Sequence, residues 1–389
     1  MSVTEVTSCP RHPPGGPPPA TSVHPPALEP TVPAYPPPIP PTHPLAHLGF
    51  DPGWAAAVAT AHAGLPDGAA EPVRFGRVVR TDRGQVLVHT ADGPVHALST
   101  LDAVTGDWVL LSAAGAVAAA LPRRTVVVRG AGRKDARPQP LAANVDVVLV
   151  LVALSSAPNL GRLDRLLTVA WHSGARPVVV LTKADLTRTA ESEAAEVAEH
   201  APGVPVHVVS TVDGRGLAGL RTHLGFGRTV VLLGVSGVGK SSLVNALAGT
   251  ELAGVGAIRD DGRGRHTTTS RELLVLPGFG VLIDTPGLRG VQLWDAEEGL
   301  SRTFADIEEL AAGCRFGDCA HEAEPGCAVV RAVADGRLSP RRLESMRRLQ
   351  RELAWLRARY DARLRAERRR EWRQLARQMR ERGNHHGPR

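Results

Sequence analysis

The residues Gly234-Val235-Ser236-Gly237-Val238-Gly239-Lys240-Ser241 have the spacing of a loop that cradles phosphates. The apolar run Val230–Leu233 precedes them and a helical pattern follows, so the loop joins a strand to a helix N-terminus. Free N–H groups and the positive end of the helix dipole favour an anion there. Lys240 then bridges the β- and γ-phosphates and acts catalytically, Ser241 ligates Mg²⁺, and Ser242 follows in the first turn. The loop does not distinguish ATP from GTP.

Asp284-Thr285-Pro286-Gly287 follows the apolar run Val281–Ile283. A carboxylate at that strand end suits Mg²⁺, and the Gly287 N–H suits a γ-phosphate switch. Thr182-Lys183-Ala184-Asp185 ends the run Pro177–Leu181 and has the form of a guanine-reading box with Thr in place of the commoner Asn. Asp185 accepts from guanine N1 and the exocyclic amine, a donor pair that adenine lacks. Ser210-Thr211 sits where a backing loop for the base would come. The order is inverted: the base box precedes the phosphate loop, as in a circularly permuted domain. Gly264-Arg265-His266-Thr267-Thr268-Thr269 lies between the loop and Asp284, so Thr267 and Thr268 are the candidate switch ligands for Mg²⁺. Finally, Cys314, Cys319, His321 and Cys327 form a dense Cys₃His set, the donor chemistry of a closed structural zinc site.

Positioning these groups requires strands alternating with helices. Strand runs at Val145–Leu154, Pro177–Leu181, Val206–Ser210, Val230–Leu233, Leu273–Leu276 and Val281–Ile283 alternate with helical stretches at Arg162–Ser173, Ala190–His200, Leu217–Leu224 and Lys240–Ala248. That is the pattern of a parallel sheet covered on both faces. Upstream, Phe75–Val79, Gln85–His89, Val95–Leu98, Trp108–Leu111 and Val126–Val128 are five short strands separated by turns, which fits a small OB-like barrel. Leu343, Met346, Leu349, Leu353 and Leu356 fall at helical spacing in a long arginine-rich stretch, Ser339–Glu381.

The 389 residues suit several domains. No apolar run reaches the roughly 20 residues that cross a bilayer, and no basic-then-apolar leader opens the chain, so a cytoplasmic protein is expected. Sixteen of the 32 prolines lie in residues 1–45, which reads as a tail unable to bury a core. The net charge of +7 conceals a split: residues 337–389 carry 18 arginines against six acids, a net +12, leaving −5 on the remainder. A basic arm suggests a polyanionic partner. Only three lysines occur against 43 arginines, and two of them are Lys183 and Lys240. A compact ammonium does there what a planar guanidinium cannot.

Taken together, the permuted order and the C-terminal Cys₃His set resemble the ribosome small subunit-dependent GTPase A family. Further matching residues are Gly106-Asp107-Trp108-Val109, Pro122-Arg123-Arg124-Thr125 and Ala142-Ala143-Asn144-Val145-Asp146. The resemblance implies GTP hydrolysis stimulated by the 30S subunit, contact with 16S rRNA, and a role in late maturation of that subunit. It also implies His266 as the catalytic group, because Leu288 stands where many GTPases place a water-orienting glutamine. The expected fold is multidomain: a disordered Pro-rich extension (1–70), an OB-like β-barrel (71–130), a circularly permuted P-loop GTPase α/β domain (140–295), a helical zinc-binding domain (296–340) and an Arg-rich helix and tail (341–389). The expected ligands are GTP or GDP with Mg²⁺ and one structural Zn²⁺, on a monomer that engages no membrane. The alternatives are a P-loop ATPase, or a zinc-stabilised RNA-binding protein with a vestigial nucleotide site.

Overall fold

The structure, a computed structural model, describes residues 43–64, 74–130, 138–250, 271–276, 279–284, 293–359 and 362. Helix α1 (Pro52–Ala63) comes first, followed by strands β1 (Arg74–Asp82), β2 (Gln85–Thr90), β3 (Gly93–Leu98), β4 (Trp108–Leu111) and β5 (Val117–Ala120). Strand β1 pairs antiparallel with β2 and β4, β2 with β3, and β4 with β5. A parallel bridge between Leu98 and Ala116 joins the two ends of this ribbon. Val78, Val86, Val88, Ala97, Val109, Leu111 and Val117 fill the space inside it.

The expected fifth strand, Val126–Val128, lies elsewhere. It is part of β6 (Val126–Arg129), which pairs with β7 (Gln139–Ala143) in a separate two-stranded sheet. The actual fifth strand reads Val-Ala-Ala-Ala, and small side chains carry little strand signal.

The next elements alternate: β8 (Val147–Ala153), α2 (Leu160–His172), β9 (Arg176–Thr182), α3 (Ala190–His200), β10 (Val206–Val208), α4 (Leu217–Arg221), β11 (Arg228–Leu233), α5 (Lys240–Ala248), β12 (Arg271–Leu276) and β13 (Gly280–Asp284). The strand order is β10-β9-β8-β11-β13-β12, parallel except for the β12–β13 hairpin. Successive side chains serve opposite cores: Val148, Val150, Val179, Leu181, Val231 and Leu233 face one, and Val147, Leu149, Val178, Val180, Val230 and Leu232 the other. Burial on both faces is why these strands read as continuous apolar runs. Strand β12 also pairs with β1 through Arg80↔Glu272 and Thr81↔Arg271, so one sheet continues from the nucleotide-type domain into the N-terminal ribbon.

The expected disordered extension over 1–70 is corrected within 43–64. Asp51 caps α1 by accepting from the Trp54 N–H at 2.8 Å, with Pro52 at the first helical position. Leu45, Leu48 and Trp54 are buried, and the Arg124 guanidinium lies 4.1 Å over the Trp54 ring while also pairing with Asp51. Three large apolar residues beyond the densest proline runs are enough to dock this segment. Beneath it the fully buried Arg77 donates to the carbonyls of Leu48, Gly106 and Asn144. Burial pulls its pKa down to about 10, partly offset by Asp146 and Asp107, so it remains a cation at neutral pH.

The chain continues through α6 (Glu297–Thr303), α7 (Ala305–Ala311), α8 (Ala328–Ala334) and a helix over 340–359. Gly299 packs so closely on α2 that a Cβ would collide with the Thr168 carbonyl and the His172 amide. Leu343, Met346, Leu349 and Leu353 are buried, as their spacing predicts. The seam is polar at one point. Asp164, completely buried on α2, accepts from Arg342 at 2.7 Å, His200 at 2.9 Å and Ser345 at 2.6 Å. Arg342 also pairs with Asp306, donates to the Thr303 carbonyl and lies 4.4 Å over Phe304. Removing one partner of a buried pair strands the other charge. Arg342→Ala is therefore expected to destabilise the protein by about 3–5 kcal/mol in urea unfolding. Arg302→Ala, which breaks the exposed Arg302–Glu298 pair, is expected to cost under about 1 kcal/mol.

Candidate nucleotide site and metal centre

Four of the candidate nucleotide-site segments leave the same edge of the parallel sheet. The base box follows the C-terminal end of β9, Ser210 follows β10, the phosphate loop follows β11, and Asp284 ends β13. From β8 the chain winds to β9 and β10, whereas from β11 it winds the other way to β13. Ligands bind in the crevice where winding reverses.

The phosphate loop turns on glycines. Gly239, the residue capping α5, has φ of 99°, and Gly237 has φ of 75°, both in the left-handed region that other residues avoid. Ser236 and Gly237 are exposed at the crest, while Val238 is buried and anchors the loop. Gly234 is closed in by Leu151 and Val238. Lys240 Nζ donates to the carbonyls of Gly234 and Val235, both at 2.9 Å, which holds the ammonium across the loop mouth. Ser241 and Ser242 stand in the first turn of α5, and Val235 in the loop is half-buried.

The base box meets this loop directly. Thr182, 3% exposed, donates its hydroxyl to the Val238 carbonyl at 2.6 Å. Lys183 adopts a left-handed conformation (φ 59°, ψ 38°) that reverses the chain. Ala184 donates its N–H to the Val209 carbonyl at 3.2 Å. Buried Ser210 donates to Asp185 Oδ1 at 2.8 Å, orienting an otherwise exposed carboxylate. Arg215, which the sequence reading did not single out, donates to the Ala184 carbonyl at 2.7 Å and so braces the box. Its only sequence signal is a position in the Asp213-Gly214-Arg215-Gly216 turn after Ser210.

Of the Mg²⁺ candidates, Ser241 lies at the loop, and the Asp284 backbone lies opposite Glu272 of β12. Thr267, Thr268, the catalytic candidate His266, Leu288 and the switch Gly287 fall outside the described residues.

The four soft donors do converge. The ligand atoms of Cys314, Cys319, His321 and Cys327 lie within 4.8 Å of one another. Cys314 Sγ is 3.9 Å from Cys327 Sγ, and His321 Nδ1 is 3.6 Å from both sulfurs. A tetrahedron with Zn–S of about 2.3 Å and Zn–N of about 2.05 Å has S–S edges of about 3.8 Å and S–N edges of about 3.6 Å. The residues present therefore fit zinc. Desolvation opposes the Cys314 thiolate, but hydrogen bonds from the Ala328 and Val329 N–H groups and from Cys327 and Cys319 together hold the thiol below its usual range. Cys319 is pushed up to about 11, mainly by desolvation, with Cys327 and Cys314 adding to it. One thiolate makes the next costlier, and a divalent cation removes that penalty. Cys327 also caps α8, so the cluster ties the loop between α7 and α8 to a helix end.

Strand order, motif order and the convergence of box and loop define a circularly permuted P-loop GTPase domain. A family model described as RsgA GTPase matches residues 120–294. Small ribosomal subunit biogenesis GTPase RsgA of Streptomyces avermitilis is 51% identical over 346 residues, which is 85% of this chain and 91% of that protein. Small ribosomal subunit biogenesis GTPase RsgA 2 of Listeria monocytogenes is 44% identical over 71% of this chain and 80% of its own length. The crystal structure of YjeQ from Thermotoga maritima aligns over 73% of this chain and 99% of its own with a TM-score of 0.56 at 26% identity. That of YloQ, described as a circularly permuted GTPase, shares the fold at a TM-score of 0.55, 24% identity and coverage of 75% and 98%. The chain belongs to the RsgA GTPase family and is a GTP-hydrolysing enzyme.

Proposed function

We propose that Thr182–Asp185, backed by Ser210, and Gly234–Ser242 enclose one guanine nucleotide whose hydrolysis is a switch in late maturation of the small ribosomal subunit. The observation that carries this reading is the Thr182–Val238 hydrogen bond, which joins the base box directly to the phosphate loop. Ser241, Asp284, Thr267 and Thr268 would hold Mg²⁺ against the phosphates, where the ion offsets charge developing on the transferred group. His266 would orient the attacking water, and Gly287 would sense the γ-phosphate. In this reading 71–130 is an OB-like barrel built on the five-strand ribbon β1–β5, and 296–340 is a zinc domain. Both contact 16S rRNA alongside the basic 341–389 arm. The protein acts as a cytoplasmic monomer.

The deciding assay measures phosphate release from GTP by the purified chain with 30S subunits, with 50S subunits and alone. Stimulation confined to 30S is the expected result, and equal rates in all three would overturn the ribosomal assignment. The base choice has its own test. Asp185→Asn removes an acceptor for two guanine donors and is expected to weaken GTP binding at least about 100-fold, at about 1.5–3 kcal/mol per hydrogen bond to a charged group. Xanthosine triphosphate, whose 2-oxo group accepts from an amide, should bind the variant better than GTP in equilibrium competition. Unchanged GTP affinity would remove Asp185 from the site.

A further inference from the structure

Thr182 has one proton to give, and the structure shows where it goes. Its hydroxyl faces two backbone carbonyls, Val238 at 2.6 Å and Val152 at 3.4 Å, and neither can donate in return. The side chain is buried, so its rotamer is confined between β8, β9 and the phosphate loop. An asparagine at this position carries two amide protons, one for a loop carbonyl and one for an acceptor on a purine. Guanine's imidazole edge offers N7, which only accepts. A hydroxyl whose proton is committed to Val238 has nothing to offer it. Guanine's own donors, N1–H and the 2-amino group, lie on the opposite edge, where Asp185 is held by Ser210.

We infer that Thr182 is a positioning residue that latches the base box to the phosphate loop and leaves guanine N7 unread, so that Asp185 alone of these two selects the base. The inference rests on the reading of 182–185 as the guanine site and specifies which edge of the base that site recognises. The latch ties affinity for the base to the shape of the phosphate loop. Losing it should weaken every purine triphosphate by the same factor, whereas losing a reading contact would weaken one analogue and spare another.

The test is equilibrium competition with GTP, 7-deaza-GTP and ITP on the full chain. The wild-type protein is expected to bind 7-deaza-GTP within about twofold of GTP. ITP, which lacks the 2-amino group, should bind at least about 10-fold more weakly, the scale of one hydrogen bond to a carboxylate. Thr182→Val should weaken all three ligands together and leave both ratios unchanged, and Thr182→Ser, which keeps the hydroxyl, should restore most of the loss. If 7-deaza-GTP binds about fivefold or more weakly than GTP while ITP is still rejected, N7 is read and the inference fails alone. A shift of the GTP to 7-deaza-GTP ratio in Thr182→Val overturns it too. Equal affinities for GTP and ITP would mean that the guanine-site reading itself is wrong, and the inference falls with it. The wild-type analogue series decides the matter even if the valine variant does not fold.

Discussion

Lys240→Ala is expected to reduce GTP hydrolysis at least about 1,000-fold, equivalent to about 4 kcal/mol of transition-state stabilisation. The ammonium is held at the loop by the Gly234 and Val235 carbonyls, each 2.9 Å away, which fixes its place before a nucleotide arrives. Preorganised charge of this kind outweighs a mobile one, because the cost of orienting it is met during folding. Lys240 is the first residue of α5 and half-buried, so alanine there should leave the fold intact. Arginine should not rescue, because a planar guanidinium cannot nest between two carbonyls of so tight a turn. Single-turnover phosphate release and a thermal melt of the same sample separate the two effects. Activity above about a tenth of wild type would take Lys240 out of the catalytic role.

The second large effect concerns the Cys₃His cluster. The purified protein is expected to contain one zinc per chain, and Cys327→Ser to contain almost none. Free energies of about 10–16 kcal/mol attach to structural zinc in small domains, far more than the loop between α7 and α8 obtains from its own contacts. Of its residues, 312–327, only Cys327 is buried, beside Ala328 and Val329 at the start of α8. The damage should be local. Phe304, Ile307, Leu338 and the 340–359 helix remain in the core shared with α2, and the Asp164–Arg342 pair still holds the seam. Hydrogen exchange is the discriminating measurement, with amides of 314–327 losing protection while those of α6 and 340–359 keep it. Full retention of protection at 314–327 after zinc is stripped would show that the cluster does not hold the loop.

The candidate nucleotide site is legible in the sequence because its parts are short and local. A phosphate loop needs glycines, a lysine and a hydroxyl within eight consecutive residues, and the backbone conformation those residues favour is the binding geometry. The base box is similar, and its position upstream of the loop sufficed to show the permutation. The alternation from β8 to β13 was equally plain, since strands buried on both faces can only be apolar runs. Less legible were the elements with weak side chains or mixed composition. Val117–Ala120 pairs with β4 because a neighbouring strand is available, not because three alanines prefer to extend. The 43–64 segment looks like more of the proline-rich tail until Leu48 and Trp54 are seen in the core.

Residue types and spacing thus pointed to the chemistry, with candidate groups for phosphate, guanine and soft-metal ligation in a permuted order on strands of a covered sheet. Folding settled who touches whom. No pattern in the chain announces that Thr182 donates to Val238, that Ser210 holds Asp185, that Arg342 reaches Asp164 across the seam, or that β1 extends the sheet through β12. The reason is energetic. A local motif is favoured by the conformations of its own backbone, whereas a long-range contact repays its ordering entropy only when every other element has already brought the two partners together.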